Sequence, residues 1–213
     1  MSITVGSIIN ICRRTLLDEE DYDFTDAEII QLYNNTNKKI VTLRPQAYSR
    51  SETFLLAPGN RQLIPSEGLA IITVRRNMGI DGITPGRAIR QSDADAYTTL
   101  VPTWATDTPQ AAIEDWWPVP NYTEQFFVYP PSDGTGYVEA EFAKVPPSTA
   151  YDAGGAWQSE YSPFNDSYID AQINGILYMA YDDDTDIPGN TPRSALYYAR
   201  FLQALGISTG GQG

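Results

Sequence analysis

The chain of 213 residues contains no histidine and a single cysteine, Cys12. Without histidine there is no Ser-His-Asp or Cys-His relay, and the commonest zinc ligand is missing. One cysteine excludes an intramolecular disulfide framework and argues against a Cys-based metal site. Cys12 falls on the apolar face of the first helical pattern and reads as a small core residue. Bases are scarce, with 14 Lys and Arg against 27 Asp and Glu and a formal charge of −13. Gripping nucleic acid by counterion release needs clustered bases, so that class is disfavoured. A negative wall past which a polyanion slides stays compatible with the composition. No apolar run approaches the roughly 18 residues of a membrane span, and no membrane partner is expected. The start, Met1, Ser2, Ile3, Thr4 and Val5, lacks the basic-then-apolar order of a secretory signal, which fits synthesis in the cytoplasm.

Helical periodicity comes first. Residues 4–17 place Val5, Ile8, Ile9, Cys12 and Leu16 on one face, with Ser7, Asn10, Arg13 and Arg14 largely opposite. An acidic link, 18–23, reads as a solvated loop. Residues 25–43 are the least ambiguous helix. Thr25 and Glu28 form a capping box, with Asp26 and Glu28 at the start and Lys38, Lys39 and Arg44 at the end. Ile29, Leu32, Tyr33, Thr36, Ile40 and Leu43 make its apolar stripe, and Pro45 ends it. The polar run Asn34, Asn35, Asn37, Lys38 and Lys39 is expected on its other faces.

From residue 49 to 145 the period drops toward two, with Pro and Gly punctuation. Strands are expected at 51–56, 62–65, 69–76, 87–91, 111–116, 125–129 and 137–143, with a short helix after Ser92. Residues 111–116 and 125–129 could pair across a turn at 118–121. Residues 146–162 have no regular period. Helical spacing returns from Phe164, capped by Asn165 or Asp166, with Tyr168, Ile169, Ile173, Ile176, Leu177 and Ala180. It returns again over 191–205, with Ala195, Leu196, Ala199, Leu202 and Leu205 on one side and Gly206 as the stop.

This order predicts an α+β fold. A four-helix bundle would be assembled from the N- and C-terminal helix pairs, with an inserted antiparallel β-sandwich or barrel-like domain. The expected divisions are 1–47 and 163–206 for the helix pairs, 48–145 for the β domain, 146–162 for a loop or arm, and 207–213 for a flexible tail.

Several clusters invite chemistry. Asp182, Asp183, Asp184 and Asp186 offer oxygens to calcium, but the EF-hand's sixth and twelfth places hold Ile187 and Arg193 instead of Gly and Glu. A solvated helix end is the plainer reading. Glu114, Asp115, Glu139 and Glu141 could supply a glycosidase pair, with Trp104, Trp116 and Trp117 as sugar platforms. Solvent-face carboxylates and core tryptophans are the plainer reading. Walker A, GxGxxG and GxSxG patterns are absent. Arg75, Arg76, Arg87 and Arg90 read either as a solvated edge or as a basic face for an acidic neighbour, and the next copy of so acidic a chain would supply one. Trp116 and Trp117, within an aromatic- and proline-rich stretch, suit an interface. No catalytic, cofactor-binding or metal-ligating residue is assigned.

The segment Arg76-Asn77-Met78-Gly79-Ile80-Asp81-Gly82-Ile83-Thr84-Pro85-Gly86-Arg87-Ala88-Ile89-Arg90 resembles the adaptor proteins of tailed bacteriophages, which join the capsid portal to the tail. The likeness extends to Phe24-Thr25-Asp26-Ala27-Glu28, Leu43-Arg44-Pro45-Gln46-Ala47-Tyr48, Phe127-Val128-Tyr129-Pro130-Pro131 and the run from Tyr198 to Gly206. It covers nearly the whole chain in order. The resemblance implies a non-enzymatic structural virion protein of the neck or tail, without a cofactor, repeated as a ring, usually of twelve copies. Its partners would be other copies of itself, the portal, and tail nozzle or tail tube proteins, with genomic DNA running through the lumen without specific binding. The family's C-terminal segment often reaches the portal, which would make Ile207, Ser208 and Thr209 interface residues. Two alternatives stand beside this: a tail nozzle or other completion ring protein, and a carbohydrate-binding module or hydrolase built on the Trp-rich β domain.

Overall fold

A computed structural model of the protein describes residues 3–20, 22–183 and 189–208. In chain order the elements are α1 (Val5–Leu16), α2 (Asp26–Leu43), β1 (Ser49–Leu55), β2 (Gly59–Leu63), β3 (Gly68–Met78), β4 (Pro85–Ala88), β5 (Arg90–Gln91), α3 (Ala94–Leu100), β6 (Asp115–Val119), β7 (Tyr122–Ser132), β8 (Tyr137–Lys144), α4 (Ile169–Asp183) and α5 (Asn190–Ala204). The fold is α+β. The chain divides into two compact units, 1–47 with 146–213, and 48–145.

In the helical unit, Thr4 caps α1 by accepting from the Ser7 amide, and Thr25 and Glu28 close a complete capping box on α2. Val5, Ile8, Ile9 and Cys12 of α1 share a buried cluster with Ile29, Ile30 and Tyr33 of α2, Trp157, and Ile176 and Leu177 of α4. Each such side chain contributes about 1.5–3 kcal/mol when fully buried. The apolar stripe of α2 is wider than its sequence pattern, because Ile30, Asn37 and Val41 are buried too. Asn37 is therefore not on a free face: its Oδ1 accepts from Gln172 Nε2 at 2.8 Å. No base lies in the last turn of α2. Arg44 instead reaches across the unit and donates to the carbonyls of Leu205 and Gly206, both at 2.7 Å, so it caps the end of α5. The aperiodic stretch 146–162 is tied down locally. The Thr149 backbone N–H and carbonyl each bond the Asn34 side-chain carboxamide, the Val5 amide donates to Glu160 O at 2.8 Å, and Trp157 is buried.

The α5 stripe departs from expectation. Leu202 and Leu205 are buried, together with Ser194 and Phe201, while Ala195, Leu196 and Ala199 face outward. The helix turns Phe201 and Leu202 inward and leaves Leu196 outside, and α4 meets it through Gly175, which packs against Phe201.

The β unit holds two four-stranded sheets, ordered β1-β8-β3-β4 and β2-β7-β6-β5, and among the described residues neither closes into a barrel. The expected strand at 87–91 is two strands. It breaks at Ile89, so β4 joins the first sheet antiparallel to β3 while β5 joins the second parallel to β6. A buried Ile89 side chain fills the crossing. Val74, Val138, Ala140 and Phe142 from the first sheet pack with Trp116, Phe126 and Val128 from the second. The β6–β7 hairpin pairs Trp116 with Val128, but its first strand starts four residues later than expected and its turn is tighter, with Val119 opposite Tyr122 and Asn121 at φ 66°.

Candidate assembly surfaces

Successive residues of a strand point to opposite faces. Trp116 accordingly enters the core between the sheets, and Trp117 packs on the other side against Tyr97 and Trp104 at ring-centroid distances of 5.0 and 4.9 Å. Both indoles are 2% exposed. Within the single chain each indole is packed inside the β unit, which leaves little ring surface exposed.

The four arginines are also committed locally. Arg75 pairs with Glu141, Arg76 with Glu139 at 2.9 Å, Arg87 with Glu114 at 3.5 Å and Arg90 with Asp115 at 3.0 Å. Three of these are cross-strand ion pairs, and Arg87 reaches Glu114 just ahead of β6. The same bonds occupy the carboxylates considered for glycoside chemistry. Asp115 is buried and accepts from Arg90, Ser92 Oγ at 2.8 Å and Tyr97 Oη at 3.0 Å, pinning the segment before α3 to β6. Burial, and then the Asp115 carboxylate, push the Tyr97 phenol well up. Arg75 and Ser49 Oγ hold Glu141 below its ordinary value, with the Ser49 bond the larger cause. The calcium reading finds Asp182 accepting from Ser194 Oγ at 3.3 Å, while 184–186 lie outside the described residues. Among the described residues no three metal-ligating side chains converge. Ile207 and Ser208 follow α5, with the Ile207 amide donating to Leu202 O at 2.9 Å, and Thr209 lies outside the described residues.

Sequence reasoning missed a set of apolar side chains held out in solvent between elements. At the β3–β4 hairpin, Ile80 and Ile83 are 92% and 78% exposed. Asp81 accepts from the Ile83 and Thr84 amides, both at 2.9 Å, and from Thr84 Oγ1 at 2.6 Å. The Thr84 bonds lead in lowering the Asp81 carboxyl to about 2. Gly82, at φ 66° over the Tyr137 ring, completes the tip. A motif of Asp followed three residues on by Thr, between glycines, was the signal available in the sequence.

The second such place is the α1–α2 link. Leu17 and Tyr22 are 89% and 87% exposed. Beneath them Asp18 is buried and accepts from the amides of Tyr22 at 2.7 Å and of Asp23 and Phe24 at 3.0 Å, and from Arg13 Nη1 at 3.1 Å. Arg13 also donates to the Phe24 carbonyl and to Asp26 Oδ1 at 2.9 Å. Arg13 was expected on the outer face of α1; the ring of oxygens from the link draws it in. These surfaces present anchors and fixed charges, which suit docking between proteins.

No relative was found among curated proteins. The family model described as SU10 adaptor protein matches residues 3–212, nearly the whole length, and the chain belongs to that family of bacteriophage adaptors.

Proposed function

We propose that this protein is a ring-forming head-to-tail adaptor, joining the phage portal to the tail and surrounding the channel through which DNA passes. The family match over residues 3–212 carries the reading. Twelve copies are expected, with the portal on one side and tail nozzle or tail tube proteins on the other. The four long helices α1, α2, α4 and α5 would make one bundle, with the two sheets as an insertion. Residues 207–213 would contact the portal. Arg87 and Arg90, whose side chains keep 72% and 71% exposure despite their ion pairs, are the two of the four arginines best able to meet a neighbour. A net charge of −13 supports a lumen that repels DNA phosphate.

Electron microscopy of virions tests this directly. The chain is expected to form the layer beneath the portal. Density for it only at the distal tail would make it a nozzle or completion protein instead, and a lumen mapped as net basic would remove the sliding-channel part.

A further inference from the structure

Among the described residues, the outward face of α5 has no covering partner. Leu196 is 49% exposed, and Pro192, Ala195, Ala199 and Gln203 are exposed around it. Arg193 and Arg200 flank this strip on one side, resting on the rings of Tyr181 and Tyr197. Among the described residues neither forms an ion pair. Residues 190–208 contain no acid, in a chain where acids outnumber bases about two to one. The α1–α2 link has the opposite character. Residues 17–23 contain no base, and Leu17 and Tyr22 project between the exposed carboxylates of Glu19, Glu20 and Asp23.

Resting on the adaptor reading, we propose that the α5 face is a docking surface for the α1–α2 link of a second copy of this chain. Leu17 and Tyr22 cover the strip around Leu196, and Glu19 and Glu20 meet Arg200. Charge complementarity identifies the occupant: the strip is basic, and the link is an acidic segment bearing two projecting apolar side chains. Asp23 and Arg193 line one cleft within a single copy, which leaves Arg200 as the base for the neighbour. The buried Asp18 carboxylate fixes the backbone at Tyr22, Asp23 and Phe24, which lowers the ordering cost of docking there. Leu17 ends α1 in the left-handed region, φ 63°, where glycine is the usual residue. Among the described residues nothing buries this leucine, which is 89% exposed. The link and the α5 strip are different surfaces, so the contact is heterologous and can propagate around a ring.

The test uses the full chain carrying Leu17→Cys and Leu196→Cys together, treated with a short bifunctional thiol reagent. Native Cys12 is buried, its thiol pushed up to about 12, and stays silent. Covalent multimers that require both new cysteines are expected, in concentrated solution and in virions. In solution, Leu17→Gly is expected to weaken self-association about tenfold to a hundredfold, as loss of one buried leucine implies, without lowering the melting temperature. Arg200→Glu weakens it too, and Glu19→Lys with Glu20→Lys restores it. Virions that contain the chain but yield no two-cysteine multimers overturn the contact and leave the adaptor reading standing. Multimers in solution from a chain absent from the neck support the contact and overturn the adaptor reading. Equal association by wild type and Leu17→Gly overturns the contact.

Discussion

Asp18→Ala removes the carboxylate around which the α1–α2 link is built. Its side chain is 1% exposed and that of Arg13 7%, so this is a buried pair. Breaking a buried pair from one side costs about 3–5 kcal/mol, because the remaining charge stays out of water. Two features place this case near the lower end. Arg13 keeps Asp26 Oδ1 at 2.9 Å, and the amides of Tyr22 and Asp23 belong to exposed residues, where water can replace the lost acceptor. About 3 kcal/mol is therefore expected from the helical unit. With a urea m-value of about 2 kcal/mol/M, the midpoint should fall by about 1.5 M. Helical circular dichroism is the right probe, because all four long helices belong to this unit. The m-value should hold, showing that native compactness is unchanged. A midpoint shift below about 0.3 M would refute the reasoning, since it would mean that water satisfies Arg13 and the three amides as well as Asp18 does.

Further outcomes follow from particular contacts. Leu17→Gly should stabilise the free chain by about 0.5–1 kcal/mol, because glycine adopts φ 63° without penalty; a lower melting temperature would show that Leu17 contributes packing. Gly175→Ala sets a helix-propensity gain of about 1 kcal/mol against a Cβ only 2.5 Å from Thr36 Cγ2 and 3.1 Å from Phe201 Cδ2. Overpacking costs about 1–3 kcal/mol, so net destabilisation is expected on thermal unfolding, and a rise in melting temperature would show that α2 and α4 separate freely. The folded Asp81 carboxyl sits at about 2 against an ordinary 3.8. A depressed value means its stabilisation of the hairpin tip is complete above 3.8 and is lost as the pH falls toward 2. The Ile83 and Thr84 amide resonances should therefore titrate near pH 2, and a midpoint near 3.8 would show that the Asp81 hydrogen bonds do not form.

The order of elements was largely legible because local chemistry writes it. The Thr25–Glu28 box, the alternation of Val138, Ala140 and Phe142, and the turn before Tyr122 each need only neighbours within a few residues. Burial of polar groups was not legible in the same way. Arg13 and Asn37 look like surface residues by type. They are buried because distant oxygens and amides (Asp26 and Phe24 for one, Gln172 for the other) arrive to satisfy them. The break at Ile89 was hidden for a related reason. A five-residue extended run is consistent with one strand, and only the pairing partners decide that it belongs to two sheets.

The interface residues show the limit most clearly. Aromatic and basic composition pointed to Trp116, Trp117 and the four arginines. The fold buried both indoles and paired each guanidinium with a nearby carboxylate. Sequence by itself determined the helix caps, the change of period at residue 49 and the acidic balance, because these depend on residue type and spacing. Only the tertiary structure decided which half of the α5 apolar pattern faces inward and which side chains stay in water. Those outcomes depend on what packs against each face, and spacing along one helix carries no information about that.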